Sequence, residues 1–365
     1  MIPLGYLWLI PVFVVGAAVG SFLNVCIHRL PLEKSLLWPG SRCVSCLEPI
    51  RWYDNLPLLS WWLLRGRCRT CGARFSVRYF LVELLTAAGF AALFHLVVLE
   101  NVHRFELLSR QQWSIHERGE VPWEAWVVVG HHALLFSLLV VTSFCDLDHR
   151  EIPLSVTGWG TVAGLAFAIA CPWPWPHTVS EALAGMPQGL PWWLLSPTVG
   201  PRFGLYPWPV WGPLPDWLSP GDPWTTGLAT GLAGLLVGSI LVRSIRFLFS
   251  VGLGVEALGL GDADILMMAG AFLGWQPAVI AFFLAVFPAV VLGIGQLIVR
   301  GEHAVPFGPS LAVGILGAML GWAWIAPAVQ VLFFNGLLLL VLALLSGTFL
   351  FLSGLGLGLM RKMRE

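Results

Sequence analysis

Charge is what this sequence has least of. Only 11% of its 365 residues are Asp, Glu, Lys or Arg, against about 25% in soluble domains. That shortage excludes a water-soluble globule, since the remaining polarity cannot cover a surface. Strand-type alternation is also missing from the apolar stretches, which disfavours a membrane β-barrel. Residues 1–27 carry no Lys or Arg, and a cleaved signal peptide would have positive charge ahead of its apolar run. There is no Gly-x-Gly-x-x-Gly between a strand and a helix, so no soluble nucleotide-binding fold can be derived. No internal repeat or low-complexity tract stands out. The formal net charge of zero says nothing about partners; no nucleic-acid partner is expected.

What the chain does have is apolar length. It is 57% hydrophobic, with a mean hydropathy of +0.80. Apolar spans lie near 4–27, 78–99, 125–145, 154–171, 226–248, 263–275, 277–299, 310–327 and 331–358. Several reach the ~20 residues a helix needs to cross ~30 Å of hydrocarbon. The expected fold is an all-α polytopic membrane protein with eight to nine transmembrane helices, nine being preferred. The sixth span is short and joins the seventh through Gln276 and Pro277, so it reads as a half-helix or tight hairpin.

The basic residues orient the bundle. Arg29, Lys34, Arg42, Arg51, Arg65, Arg67, Arg69, Arg74 and Arg78 crowd the segment after the first span. If that segment is cytoplasmic and nine spans alternate, sixteen of the twenty basic residues fall inside, a strong positive-inside bias. The amino terminus then faces out. Four regions follow: a first helix over 1–27, a cytoplasmic zinc-binding segment over 28–77, two further helices over 78–145 with an external loop at 100–124, and a membrane domain over 146–365. That last domain carries an external loop over 172–225, rich in Pro, Trp and Gly, whose Trp residues suit the membrane interface.

Four of the seven cysteines form two pairs, Cys43-Val-Ser-Cys46 and Cys68-Arg-Thr-Cys71. Two residues between thiolates let both face one metal, and two such knuckles complete a tetrahedral zinc site. Gly72 suits the tight turn after the second pair. Disulfides or unrelated thiols are the alternative, but basic-side placement puts the segment in a reducing compartment. Four thiolates leave no open coordination position, so the expected role is structural, stapling a segment too small to fold alone. Cys26, Cys145 and Cys171 read as small hydrophobes.

Two acidic clusters sit at span ends, where ionisable groups are costly. One is Asp146-Leu147-Asp148-His149-Arg150-Glu151-Ile152-Pro153; the other is Gly259-Leu260-Gly261-Asp262-Ala263-Asp264. Asp262 reads as a helix N-cap whose ionised form the helix dipole favours. Asp146 reads as the carboxylate at a helix C-terminus, where the dipole opposes charge. Two such carboxyls brought together would share a proton and activate water for attack on a peptide carbonyl. Taken alone, Asp262 is equally an ordinary cap and Asp146 an interfacial charge beside Arg150. Glu83 reads either as part of a cofactor or amine pocket or as a partner of Arg78 or Arg74. Asn24 and His28 are ambiguous in the same way. His131 and His132 are expected to face solvent or the interface.

These residues resemble the type IV prepilin peptidases, bifunctional leader peptidase and N-methyltransferase enzymes of bacterial membranes. The resemblance begins at Gly20-Ser-Phe-Leu-Asn-Val-Cys-Ile-His-Arg-Leu-Pro31 and runs through the paired cysteines. It continues with Asp54-Asn-Leu-Pro-Leu-Leu-Ser-Trp61, Leu64-Arg-Gly-Arg-Cys-Arg-Thr-Cys71, Arg78-Tyr79 and Val82-Glu-Leu-Leu-Thr-Ala87. Asp146 with Ile152-Pro153, the Gly-x-Gly-Asp ending at Asp262, and Pro306-Phe-Gly-Pro309 complete it. The resemblance implies catalytic roles for Asp146 and Asp262. It also implies cleavage of the basic leader of prepilin-like or pseudopilin precursors of pilus and secretion systems. Methylation of the new amino terminus with S-adenosylmethionine would follow. Residence in the inner membrane, with the active site facing the cytoplasm, is implied as well.

Departures are few. Asp264 stands where the family usually has Lys, Val44 where Pro is common, and Leu154 where Asp or Asn is usual. Two alternatives remain beside the bifunctional enzyme: a peptidase without methyl transfer, and a proton-coupled transporter with a zinc docking module. Carboxylates at the rim rather than mid-membrane disfavour transport. Substrate identity and oligomeric state are not legible in the chain.

Overall fold

The computed structural model describes residues 3–170, 223–253, 259–300, 306–334 and 336–362. Nearly all of the expected external loop 172–225, together with Cys171, lies outside the described residues. The chain divides into two compact units, Met1–Val156 and Thr157–Glu365.

The first unit is built on α1 (Leu9–Arg29), α3 (Val77–Phe94) and α5 (Trp123–His149). In hydrocarbon there is no hydrophobic force between helices, so close backbone approach must hold them. Gly16 and Gly20 provide it. A Cβ on Gly16 would lie 2.8 Å from Ala87 Cα, and one on Gly20 would lie 2.8 Å from Glu83 Cα. Asn24 adds a polar stitch, its amide donating to Tyr79 O at 3.0 Å. The segment between α1 and α3 contains a short helix, α2 (Leu59–Leu63), and two isolated antiparallel bridges, Arg42–Pro49 and Arg67–Arg74. Ser76 caps α3, its hydroxyl accepting from Arg78 N–H at 3.2 Å.

Residues 100–124 are more than the simple polar loop expected. They follow a π-helical turn (His95–Leu99), form α4 (Glu106–Trp113) and end in a second π turn (Ser114–Arg118). Buried Phe105, Leu108 and Ile115 supply its apolar face. The Asn101 side chain organises its start, accepting from Phe105 N–H and donating to Phe105 O, both at 2.9 Å.

The second unit holds α6 (Leu154–Ala170, beginning at the boundary), α7 (Pro223–Leu253), α8 (Leu260–Leu273), α9 (Trp275–Arg300), α10 (Gly308–Phe334) and α11 (Gly336–Lys362). Its centre is α8, packed against α7, α9 and α10 and buried almost throughout. An apolar helix without a polar face is what a bundle core requires. Backbone meets backbone here as well. A Cβ on Gly234 of α7 would lie 1.9 Å from Gly270 O, and one on Gly238 would lie 2.4 Å from Leu266 O.

Seven helices among the described residues are long and apolar enough to cross a membrane. Two apolar helices, α6 with 17 residues and α8 with 14, are shorter. The eight or nine expected spans therefore stand at seven plus these two. At ~1.5 Å per residue, α8 falls well short of the bilayer core. The half-helix reading of the sixth span matches its length, but the break falls elsewhere. Gly274, at φ 86°, turns the chain, while Gln276 and Pro277 lie in the first turn of α9, where proline is tolerated.

Alanine at Gly270 is expected to destabilise the protein by about 1–3 kcal/mol, because the clash is with backbone that cannot rotate away. Gly295→Ala, with nothing within 4 Å, should leave unfolding in detergent unchanged or slightly improved. Equal denaturation midpoints for the two variants would remove the close-packing argument.

Candidate functional site

The two cysteine pairs fold into matching knuckles. In each, the first cysteine donates its N–H to the carbonyl five residues on: Cys43 to Glu48 at 3.0 Å and Cys68 to Ala73 at 2.8 Å. Its carbonyl accepts from the residue four on, Leu47 and Gly72, both at 3.0 Å. That fourth residue must be left-handed, at φ 60° for Leu47 and 71° for Gly72. Glycine suits the position in the second knuckle; the first bears the strain of a leucine.

All four sulfurs lie within 4.8 Å of one another, and Cys43 Sγ and Cys71 Sγ are 3.8 Å apart. A disulfide needs ~2.05 Å, whereas tetrahedral zinc with Zn–S of ~2.3 Å spaces its sulfurs by roughly 3.8 Å. The donor set fits a thiophilic metal ion. Backbone N–H groups of Cys46 and Ser45 hold the Cys43 thiol down at about 6. The Glu48 N–H acts to lower Cys46, but desolvation and the neighbouring sulfurs of Cys71, Cys43 and Cys68 together push it up to about 12. Cys68 is lowered as well, by the backbone N–H groups of Cys71 and Thr70.

Beside the knuckles, a cavity of about 810 Å³ opens within the first unit, lined by residues of α1, α3 and the intervening segment. Asn24, His28, Asp54, Trp61, Phe80 and Glu83 are among its walls. Glu83 is not an ion-pair partner of Arg78. Its Oε2 accepts from Leu58 N–H at 2.7 Å, and Ser21 also bonds the carboxyl. Arg78 instead pairs with Asp148 and lies over the Phe144 ring. Trp61 Nε1 is buried at this wall without a partner.

Within the acidic clusters, Asp146, Asp262 and Asp264 are buried, while Asp148 and Glu151 are exposed. Asp146, 8% exposed, lies in the last turn of α5, and its carbonyl accepts from Arg150 N–H at 2.9 Å. Asp262, 6% exposed, lies in the first turn of α8. It is not the N-cap: that position is Gly259, and Asp262 is three residues in, its Oδ2 accepting from Gly259 N–H at 3.2 Å. This is the half of a capping box that a glycine cap permits. Asp264, one turn's edge away, is ion-paired with Arg243 of α7 at 3.0 Å.

His131 and His132 are buried rather than facing solvent. His132 uses both ring nitrogens, Nε2 to His103 Nε2 at 3.0 Å and Nδ1 to His131 Nδ1 at 3.1 Å. Burial holds His103 down to about 3, so it stays neutral. The three rings form a string rather than a point. Among the described residues, the cysteines are the one group arranged to hold a metal.

Sequence comparison meets this geometry. The profile of the Bacterial Peptidase A24 N-terminal domain matches residues 14–97, and that of the Type IV leader peptidase family matches residues 216–294. A Prepilin leader peptidase/N-methyltransferase from Myxococcus xanthus is 33% identical over 82% of this chain and 66% of its own length. The Type 4 prepilin-like proteins leader peptide-processing enzyme of Escherichia coli O78:H11 is 30% identical over 82% of this chain and 88% of its own. This chain belongs to the prepilin leader peptidase family. A relative in Aeromonas hydrophila, at 28% identity, covers 85% of the chain and 89% of its own length. No solved structure matches. The first family profile spans most of α1, the knuckles and all of α3, including Glu83; the second includes Asp262 and Asp264.

Sequence reasoning missed the Leu58 contact to Glu83, the Arg69–Asp54 pair and the Arg243–Asp264 pair. Only the last had a signal, an unexpected carboxylate that had to be neutralised.

Cys43→Ser is expected to lower bound zinc, measured by atomic emission on purified protein, from one per chain toward none. A variant that keeps its full complement would remove the four-thiolate assignment.

Proposed function

We propose that this protein is a membrane aspartic endopeptidase that cleaves the basic leader of type IV prepilin-like precursors and then methylates the new amino terminus. The observation that carries the peptidase half is the burial of Asp146 and Asp262 at the ends of apolar helices. Burying a carboxylate there is costly, and such groups default to function. Asp262 receives the Gly259 N–H and the positive end of α8, which favour its ionised form. Asp146 lies at the opposite, negative end of α5. An ionised carboxylate takes a proton from water, the hydroxide oxygen bonds to the peptide carbon, and the protonated partner polarises the carbonyl. The C–N bond then breaks, with the leaving amine taking a proton. The basic segment between α1 and α3 supports placement at the cytoplasmic face of the inner membrane.

The methyl-transfer half is assigned to the cavity in the first unit. Its size suits a nucleoside-sized ligand. S-adenosylmethionine, when bound, supplies an electrophilic methyl group on a cationic sulfur. Glu83 places a carboxylate where that positive charge, or the proton lost by the amine, can be met. Trp61 and Phe80 add aromatic faces that attract cations, and the lone Trp61 N–H is free to donate. Zinc on Cys43, Cys46, Cys68 and Cys71 holds the segment that forms one wall.

Asp146→Asn and Asp262→Asn should each lower cleavage of a prepilin-like peptide by about 10²–10⁴-fold in detergent. Asp264→Asn should retain cleavage, because Asp264 is occupied by Arg243. Glu83→Gln should keep cleavage yet yield a product lacking the mass of one methyl group. Normal cutting by either of the first two variants would refute the carboxylate assignment.

A further inference from the structure

We infer that Arg69 is a positioning residue for the cavity, acting through Asp54 and joining the second metal knuckle to the cavity wall. The inference rests on the reading of that cavity as the methyl-donor site. Arg69 lies between Cys68 and Cys71 and is not among the residues that line the cavity. Its guanidinium forks onto Asp54, with Nε to Oδ2 at 2.8 Å and Nη2 to Oδ1 at 2.6 Å. Tyr53 beside it is flanked by Arg51 and Arg69, their guanidinium carbons 5.9 and 5.7 Å from the ring centroid.

The exposures are unequal. The Asp54 side chain is 8% exposed and that of Arg69 54%. The carboxylate, withdrawn from water, is therefore the group that depends on its partner. Arg69 holds the Asp54 carboxyl below the usual carboxylate range.

Asp54 opens the run Asp54-Asn55-Leu56-Pro57, all four of which line the cavity. The run ends at Leu58, at φ 63° and ψ −48°, in a turn closed by Leu59 N–H donating to Pro57 O at 2.7 Å. An L-residue in this conformation is strained and persists only where its surroundings hold it. Leu58 N–H is held by Glu83 of α3. The wall thus has a tether at each end, Arg69 at Asp54 and Glu83 at Leu58. Without Arg69, Asp54 would turn toward water and draw the wall with it, while the four thiols stayed in place.

The test uses the full-length, zinc-loaded protein with Arg69→Ala, Arg69→Lys, Asp54→Asn and the double variant Arg69→Ala/Asp54→Asn. Calorimetry would measure S-adenosylmethionine binding, and methyl-transfer kinetics would separate KM from kcat. Hydrogen exchange without ligand would follow the amides of Asn55, Leu56 and Leu58. Arg69→Ala should keep its zinc, weaken binding and raise KM by about ten- to a hundredfold, spare kcat, and speed exchange at those amides. Arg69→Lys should recover part of the loss. The double variant should be no worse than Arg69→Ala alone, as expected of two residues acting as one unit. Unchanged binding and exchange in Arg69→Ala, losses that multiply in the double variant, or zinc lost with Arg69 would each overturn the inference. If the unmodified protein binds no S-adenosylmethionine, the reading of the cavity fails, and exchange at the wall still decides the role of Arg69.

Discussion

Backbone contact between helices is the constraint on which the rest of this structure depends. Apolar side chains cannot drive helices together in a lipid solvent, so association relies on fit. Close backbone approaches lie on the helices that carry the two candidate chemistries. Gly20 of α1 meets the backbone of Glu83, and Gly234 and Gly238 of α7 meet the backbone of α8, which carries Asp262 in its first turn. A larger residue at any of these glycines would displace a carboxylate as well as a helix. Placing functional groups on closely packed backbone is what a site needing sub-ångström geometry requires.

Around that frame, the charged residues near the sites have assigned partners. Asp54 is held by Arg69, Asp148 by Arg78, Asp264 by Arg243, and Glu83 by a backbone N–H and a hydroxyl. Ionisable groups near hydrocarbon are tolerated when paired. The pairing also divides labour. A carboxylate held by a guanidinium is fixed in place, so it serves position. Glu83 differs, since its partners are neutral, a backbone N–H and a hydroxyl. That difference is why it, rather than Asp54, is assigned the cationic ligand.

Much of this was legible in the chain. Spans, knuckles and both aspartates could be located because each rests on a local pattern: apolar length, two-residue spacing, a Gly-x-Gly before an apolar run. Contacts between distant residues could not. Nothing in one dimension joins Arg69 to Asp54 or Leu58 to Glu83, although all four lie in stretches that resemble the family. Local reading also failed where glycine serves as a cap. Asp262 looks like an N-cap because it precedes an apolar run, yet the helix starts two residues earlier and Gly259 takes that place. Burial of His131 and His132 was equally hidden, because adjacent histidines satisfy one another only when a third, His103, closes over them.

Asp264 shows how a departure from a family pattern can be read physically. A lysine at that position would place one positive charge next to Asp262 in sequence. Here a carboxylate stands in its place and Arg243 of the neighbouring helix is 3.0 Å away, so the pair adds no net charge. Asp262 itself accepts from the Gly259 N–H at the start of α8. Neighbours two apart on a helix do not face each other, which keeps the Asp264–Arg243 pair off the side where Asp262 points. The departure therefore replaces a lone positive charge near Asp262 in sequence with an ion pair to the neighbouring helix.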